Sequence, residues 1–453
     1  MKNFIFLFLP YVFSYLTLPL NKDKVEITSA DDQTDTIIKL QECKLYITIN
    51  IGSEKTNVKT YITQSKTELF IGGKNIKNHK YDESTSESYN RTSDDIQYIN
   101  YGTYEEGYLS TETFNLKNEK NEIQEIENVK FILGTKSKYD DTIEGQIGLH
   151  LPYKESLPEY NFIHSLKKAN GTGSYIWYFD FDNFSNGGGK LVIDGYPHDL
   201  NSQKYKKDNF TKTNCLKNSY YTIWGLIFSK VYYEEQVLEI YEDLEAHFEF
   251  DYGIISAPTE LGVMLEKSFF NKYMKDNICF KNTFGIHKEI FFYCKSSEFN
   301  VKDFKSIYLK SQGLEIIFEL DYEDLFYKKD DYYIFLLTFK KDNNKLLRLG
   351  EIFLKKYYMV FNNDESIGYY IGMEKEKQPA DDENKKSITS IIIIILLVLI
   401  LIGIIVVGII IFMKKIKPRK NRANELDDDN YEYDPKDNQS DEKGNKLLSN
   451  NIN

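Results

Sequence analysis

Leu45-Tyr46-Ile47-Thr48-Ile49-Asn50-Ile51 alternates aliphatic residues with Tyr, Thr and Asn. Successive side chains of a strand point to opposite faces, so a period of two offers one face to a core. The pattern returns at Val58-Lys59-Thr60-Tyr61-Ile62, Lys190-Leu191-Val192-Ile193 and Tyr357-Tyr358-Met359-Val360-Phe361. β-branched and aromatic residues fill these segments, and Gly and Asn punctuate them, as in short strands joined by turns. Aromatic residues, mostly Tyr and Phe, make up 15% of the chain. Helical spacing is confined to places such as Glu260 to Tyr273 and Asn161 to Lys168. The expected class is mostly β with minor helices.

Beyond this body, both ends carry apolar runs. From Ile391 to Met413 every residue is apolar or glycine. At a helical rise of about 1.5 Å per residue, that run spans the roughly 30 Å hydrocarbon core of a bilayer. Lys414, Lys415, Lys417, Arg419, Lys420 and Arg422 follow it, whereas Asp381, Asp382 and Glu383 precede it beside Lys385 and Lys386. The positive-inside rule assigns the C-terminal side to the cytoplasm. At the other end, Lys2 precedes Phe4 to Leu9, and Val12-Phe13-Ser14 offers a cleavage site, the pattern of a secretory signal peptide. The expectation is a type I single-pass membrane protein with an extracellular or lumenal ectodomain, at the cell surface or in an endolysosomal compartment. Its parts would be a signal peptide (1–14), a lead or short pro-like segment (15–42), two lobes (43–200 and 201–373), a juxtamembrane stalk (374–386), a transmembrane helix (387–413) and a disordered cytoplasmic tail (414–453). The tail is rich in Asp, Asn, Glu and Lys and cannot bury a core.

The formal net charge of −12 excludes a nucleic-acid partner, because phosphate contacts need a basic surface. Cys43, Cys215, Cys279 and Cys294 all fall in the ectodomain, where an oxidising lumen favours two disulfides. Cys279 with Cys294 would close a hairpin-sized loop, leaving Cys43 to pair with Cys215. Asn90, Asn170, Asn183 and Asn209 begin N-x-S/T triplets and are candidate glycan sites on a secreted surface. The six histidines form no H-x-x-x-H pair, so neither a metal nor any other cofactor is expected. Asn186-Gly187-Gly188-Gly189-Lys190 lacks the first spaced glycine and the Ser/Thr of a phosphate loop and reads as a hairpin turn. No G-x-S-x-G elbow is present.

Several segments resemble the pepsin-like aspartic proteases, in that family's order. Leu45 to Ser53 is similar to the opening strand and its "IGTP" turn, and Tyr101-Gly102-Thr103 to the start of the flap hairpin. Ile143-Glu144-Gly145-Gln146-Ile147-Gly148-Leu149 resembles the "FDGILGL" segment that braces the first active-site loop. Gly188 to Gly195 is similar to a hairpin late in the first lobe. Asp251-Tyr252-Gly253-Ile254-Ile255-Ser256-Ala257-Pro258 resembles the second catalytic loop, and Cys279 and Cys294 sit where the family places a second-lobe disulfide. Leu349 to Phe361, LGEIFLKKYYMVF, resembles "LGDVFLRxYYxVFD" over its whole length. The resemblance covers about residues 45 to 372. It implies a bilobal β fold with a substrate cleft, aspartic-type endopeptidase activity, and Tyr101, Gly102 and Gly253 as residues against a bound peptide.

Aspartic proteolysis needs two carboxylates sharing one proton across a water. The family takes one from each lobe, on a D-T/S-G loop. Here the first loop reads Thr63-Gln64-Ser65-Lys66-Thr67, with Thr63 at the aspartate position and Ser65 at the glycine. No Asp occurs from Lys44 to Tyr81; Glu54 and Glu68 are the acids there, and both read as solvated charges. The second loop keeps Asp251 and Gly253, with Tyr252 between them and Ile254 and Ile255 where hydroxyl residues belong. Gln146 and Arg348 intrude on the two bracing motifs. The expectation is a pseudoprotease that binds a peptide or protein ligand in its cleft. The alternatives are an endopeptidase with an unorthodox pair and a glycosylated surface protein with a vestigial cleft.

Overall fold

The computed structural model describes residues 15–372, apart from 24, 78, 99–103, 138–143, 152–156, 182–188, 218–221, 235, 239–242, 315, 342–344 and 364–367. Within it the alternating segments become strands: β1 (Leu16–Lys22), β2 (Leu45–Ile51), β3 (Thr56–Thr63) and β4 (Leu69–Gly72) among them. In β2, Leu45, Ile47, Ile49 and Ile51 are fully buried, as the period of two requires. The described strands form a 13-stranded sheet and a 12-stranded sheet, with one small two-stranded ribbon. The first sheet also draws in strands from late in the chain. Tyr358–Asn362 pairs antiparallel with Ile176–Asp180, and Phe210–Asn214 pairs with Gly368–Gly372. The two halves of the sequence are thus stitched through shared backbone hydrogen bonds.

Each half repeats one local arrangement. β3 runs parallel to Gly145–Gly148, with Thr63 opposite Gly148, and β4 pairs with the other edge of that strand. Leu244–Phe248 likewise runs parallel to Leu347–Leu349, whose other edge takes Ile255–Pro258. In both halves a strand, a loop and a second strand therefore straddle a short strand ending at or before a glycine. The glycines are required by close approach. A Cβ on Gly148 would lie 2.6 Å from the Lys66 carbonyl, and one on Gly350 2.2 Å from that of Ile254.

Helix α1 (Gln33–Gln41) starts at Asp32, whose carboxylate accepts from the Asp35 N–H. Its Ile37 is fully buried and packs with Ile254, Phe284, Phe291 and Ile334. Helix α2 (Phe162–Lys168) matches the expected helical stretch, and Thr259–Leu265, a π turn at Glu266–Phe270 and Asn271–Lys275 together fill Glu260 to Tyr273. Residues 15–42, expected as a lead or pro-like segment, thus contain a core strand and a docked helix. Leu16, Leu18 and Leu20 are at most 2% exposed, because β1 sits between Gly189–Ile193 and β2.

The Cys279–Cys294 disulfide joins directly paired strands. The expected Cys43–Cys215 bridge is not formed; both thiols are buried and free. Cys43 instead meets Glu351, its Sγ 2.9 Å from Oε2. Pairing by elimination failed because a buried carboxylate already occupies that thiol. Glu351 also bonds Lys22 at 2.5 Å and pairs with Lys355. Burial pushes Glu351 up, but the two lysines and the thiol outweigh it and hold the carboxyl below its ordinary range.

The expected signal peptide, stalk, transmembrane helix and tail lie outside the described residues, as do Tyr101, Gly102 and Asn183. Among the described residues no helix is long and apolar enough to cross a membrane, and no cluster of side chains could hold a metal ion. Asn90 and Asn170 are exposed, and Asn209 is half-buried.

Candidate functional site

The two straddling loops meet at Thr63 and Asp251. The Thr63 hydroxyl lies 3.1 Å from Asp251 Oδ2, and the Ser65 hydroxyl lies 2.8 Å from Thr63 Oγ1. The Ser65 N–H also donates to Thr63 Oγ1, so the first loop closes on its own hydroxyl. Across from Asp251 there is thus an alcohol. Burial pushes the Asp251 carboxyl above its ordinary range, partly opposed by hydrogen bonds from Thr63 and from the backbone of residues 251 and 64.

The second loop is braced by three backbone hydrogen bonds from two segments. The Cys43 N–H donates to the Asp251 carbonyl and the Gly253 N–H to that of Gln41, so the chain after α1 lies alongside residues 251–253. The Glu351 N–H donates to the Tyr252 carbonyl at 2.7 Å. Gly253 is obligatory, since a Cβ there would lie 2.1 Å from the Leu40 carbonyl. Tyr252, bulky where a small hydroxyl was expected, packs against the Ile37 and Ile254 cluster, and its hydroxyl receives the Gln41 amide. Burial, then Glu289, pushes that phenol up to about 12.

The first loop is held by the cap of α2. Asn161, fully buried, accepts from the Ile163 and His164 N–H groups. Its amide donates to the carbonyls of Thr67 at 2.7 Å and Gly148 at 3.1 Å. Glu68 is not the solvated charge expected: its Oε1 accepts from the Leu157 N–H at 2.9 Å. Glu54 is exposed as expected.

Behind Asp251 lies an aromatic wall. Trp177 stacks on Phe361 at 4.3 Å, and Phe250 meets both rings edge-on. Trp224 donates through Nε1 to the Leu149 carbonyl at 2.7 Å, tying the second half to the strand that braces the first loop.

Two charged residues were missed as site residues. Glu249, two positions before Asp251, is pushed up to about 7 by burial and then by Asp251, against the pull of Arg348. The Arg348 guanidinium lies 3.8 Å from it, so the arginine that intrudes on the bracing motif has a partner here. Lys66 is 4% exposed, and burial pulls its ammonium down to about 8, with Glu68 opposing. The signal for both was a charge inside a strand–loop–strand stretch that otherwise reads as core.

No curated protein matches the chain. The model of one family, eukaryotic aspartyl protease, matches residues 44–369, a span that takes in both loops, the strands that straddle them and the stacked wall behind Asp251. The chain belongs to the eukaryotic aspartyl protease family.

Proposed function

We propose that this chain is a membrane-tethered, catalytically silent member of its family that binds a peptide or protein ligand in the cleft between its lobes. The observation that carries the reading is the Thr63 hydroxyl at 3.1 Å from Asp251, where a second carboxylate would stand. An alcohol neither ionises in the working range nor shares a proton with a carboxylate as a second acid does. Asp251 could still act as a base, but a unit of paired groups loses orders of magnitude in rate when one member is removed. The apolar run at 391–413 and the basic residues after it support a type I anchor, holding the cleft on the extracellular or lumenal side. Asn90, Asn170, Asn183 and Asn209 would then face a glycosylating compartment.

A second reading is an endopeptidase that pairs Asp251 with Glu249. One observation favours it: Asp251 helps push Glu249 up to about 7, within the range of a general acid. The ion pair of Glu249 with Arg348 weighs against it, since it turns that carboxylate toward a cation.

The reading is tested by incubating the full-length protein with a mixed peptide pool, then recovering and sequencing what it retains. Intact peptides, with retention weakened in Tyr101→Ala, are the expected result. Recovery of cut peptides only, or no retention at any pH, would overturn it.

A further inference from the structure

β1 and β2 pair antiparallel in the first sheet, with Lys22 opposite Leu45, and the Asp23 N–H donates to the Lys44 carbonyl at 3.1 Å. They form a hairpin, yet residues 23–44 connect them, where an ordinary hairpin loop has about two to five residues. The root of this connection is fixed in the first half: the Asp23 carboxylate accepts from the Tyr61 hydroxyl at 2.7 Å and pairs with Lys59 at 2.5 Å. Its outer part, α1, lies on the second half. Ile37 is the one fully buried aliphatic side chain of α1, and it enters a cluster separate from the main core, with Ile254, Phe284, Phe291 and Ile334. The Asn282 amide donates to Thr34 Oγ1 at 3.2 Å, and the Lys329 ammonium to the Asp31 carbonyl. Small cavities flank the contact, one of about 150 Å³ between Leu40 and Gly253, the other of about 250 Å³ between Gln33 and Ile334. The attachment is therefore narrow. A nine-residue helix is also too short to persist alone in water, so α1 depends on this contact.

The last part of the connection lies on the loop that carries Asp251. The Gln41 carbonyl takes the Gly253 N–H at 2.8 Å, and the Cys43 N–H donates to the Asp251 carbonyl at 3.2 Å. The Gln41 amide reaches the Tyr252 hydroxyl between them. These loop groups lose their partners if the segment leaves, and buried backbone groups are held where they are paired. We propose that residues 23–44 are a strap that releases from the second half as a unit, and that its docking fixes the position of the Asp251 loop. Docked, the strap holds Asp251 against Thr63; released, it frees the loop backbone at residues 251 and 253. Native proteins open in such contiguous units, those with few buried apolar contacts first. The inference is independent of the peptide-binding reading, since it concerns what holds the floor of the site and not what enters it.

Two buried free thiols supply the readout, Cys43 within the strap and Cys215 outside it. The test follows slow labelling of each thiol by iodoacetamide in the native full-length protein, resolved by peptide mass, with hydrogen exchange over residues 33–43 and 250–254 beside it. In Ile37→Ala, labelling of Cys43 and exchange over both segments should quicken by about tenfold or more relative to wild type, with Cys215 and β2 unchanged. Asn282→Ala, an exposed change that removes one tie to Thr34, should give the same pattern at about two- to tenfold. It carries the test if Ile37→Ala does not fold. Cys43 and Cys215 quickening together would mean that the segment leaves only when the whole fold opens, and would overturn its release as a unit. Faster exchange over 33–43 with 250–254 unchanged would overturn its hold on the Asp251 loop. No change in either variant would overturn both parts.

Discussion

At the scale of single residues, two hydroxyls meet one carboxylate where the loops of the two halves come together. Thr63 and Ser65 satisfy each other and offer one hydrogen bond to Asp251. Asp251 is left with a raised pKa from burial and no second carboxylate in contact from the first loop. Glu249 carries the consequence for pH. Its folded value of about 7 exceeds the ordinary 4.5, so the folded state binds the extra proton between those limits. Its stabilising contribution is complete below about pH 4.5 and is lost as pH rises through 7. His150 and His247, both pulled down by burial, act in the opposite sense over part of that range. The difference between variants is therefore the clean observable. The unfolding temperature of Glu249→Gln relative to wild type should be near zero at about pH 4 and reach a few degrees in the variant's favour by about pH 8. A difference independent of pH would show that Glu249 is not buried in this way.

At the scale of elements, Asn161 is the joint between the first loop and α2. It caps the helix and pins the carbonyls of Thr67 and Gly148. Asn161→Ala removes a cap and leaves two buried carbonyls without that donor, which should cost about 2–4 kcal/mol in chemical denaturation. A loss under about 0.5 kcal/mol would mean the loop is held by other contacts. Asn161 to Lys168 was legible as a helix because its apolar residues have helical spacing, but the side-chain role of Asn161 toward the loop was not, since it depends on a strand far away in sequence. β2 was legible from its alternation. β1 was not: Leu16, Leu18 and Leu20 alternate equally well, but they follow directly on the apolar stretch at the start of the sequence and merge with its pattern. The site separated in the same way. The positions of Thr63 and Asp251 followed from motif order, whereas the Lys66 and Glu249 environments arise from burial that charge patterning does not encode.

At the scale of the whole molecule, the two halves are held by strands that cross between them and by the segment after α1 lying along residues 251–253. The cysteine pattern follows from that arrangement. Cys43 meets Glu351 beside the same brace, and its thiol is free. Native protein should therefore present no thiol to an aqueous reagent, and denaturation without reductant should release two, from Cys43 and Cys215. Release of none would restore the second bridge. Reduction of Cys279–Cys294, which closes a 15-residue separation, should cost about 3 kcal/mol. The central claim is that a family scaffold persists here without its paired acids. It is tested most directly by turnover of a broad peptide library by the full-length protein between about pH 3 and pH 7, with Asp251→Ala beside it. Turnover indistinguishable from that of Asp251→Ala at every pH is the predicted result; pepstatin-sensitive cleavage that disappears in Asp251→Ala would contradict it.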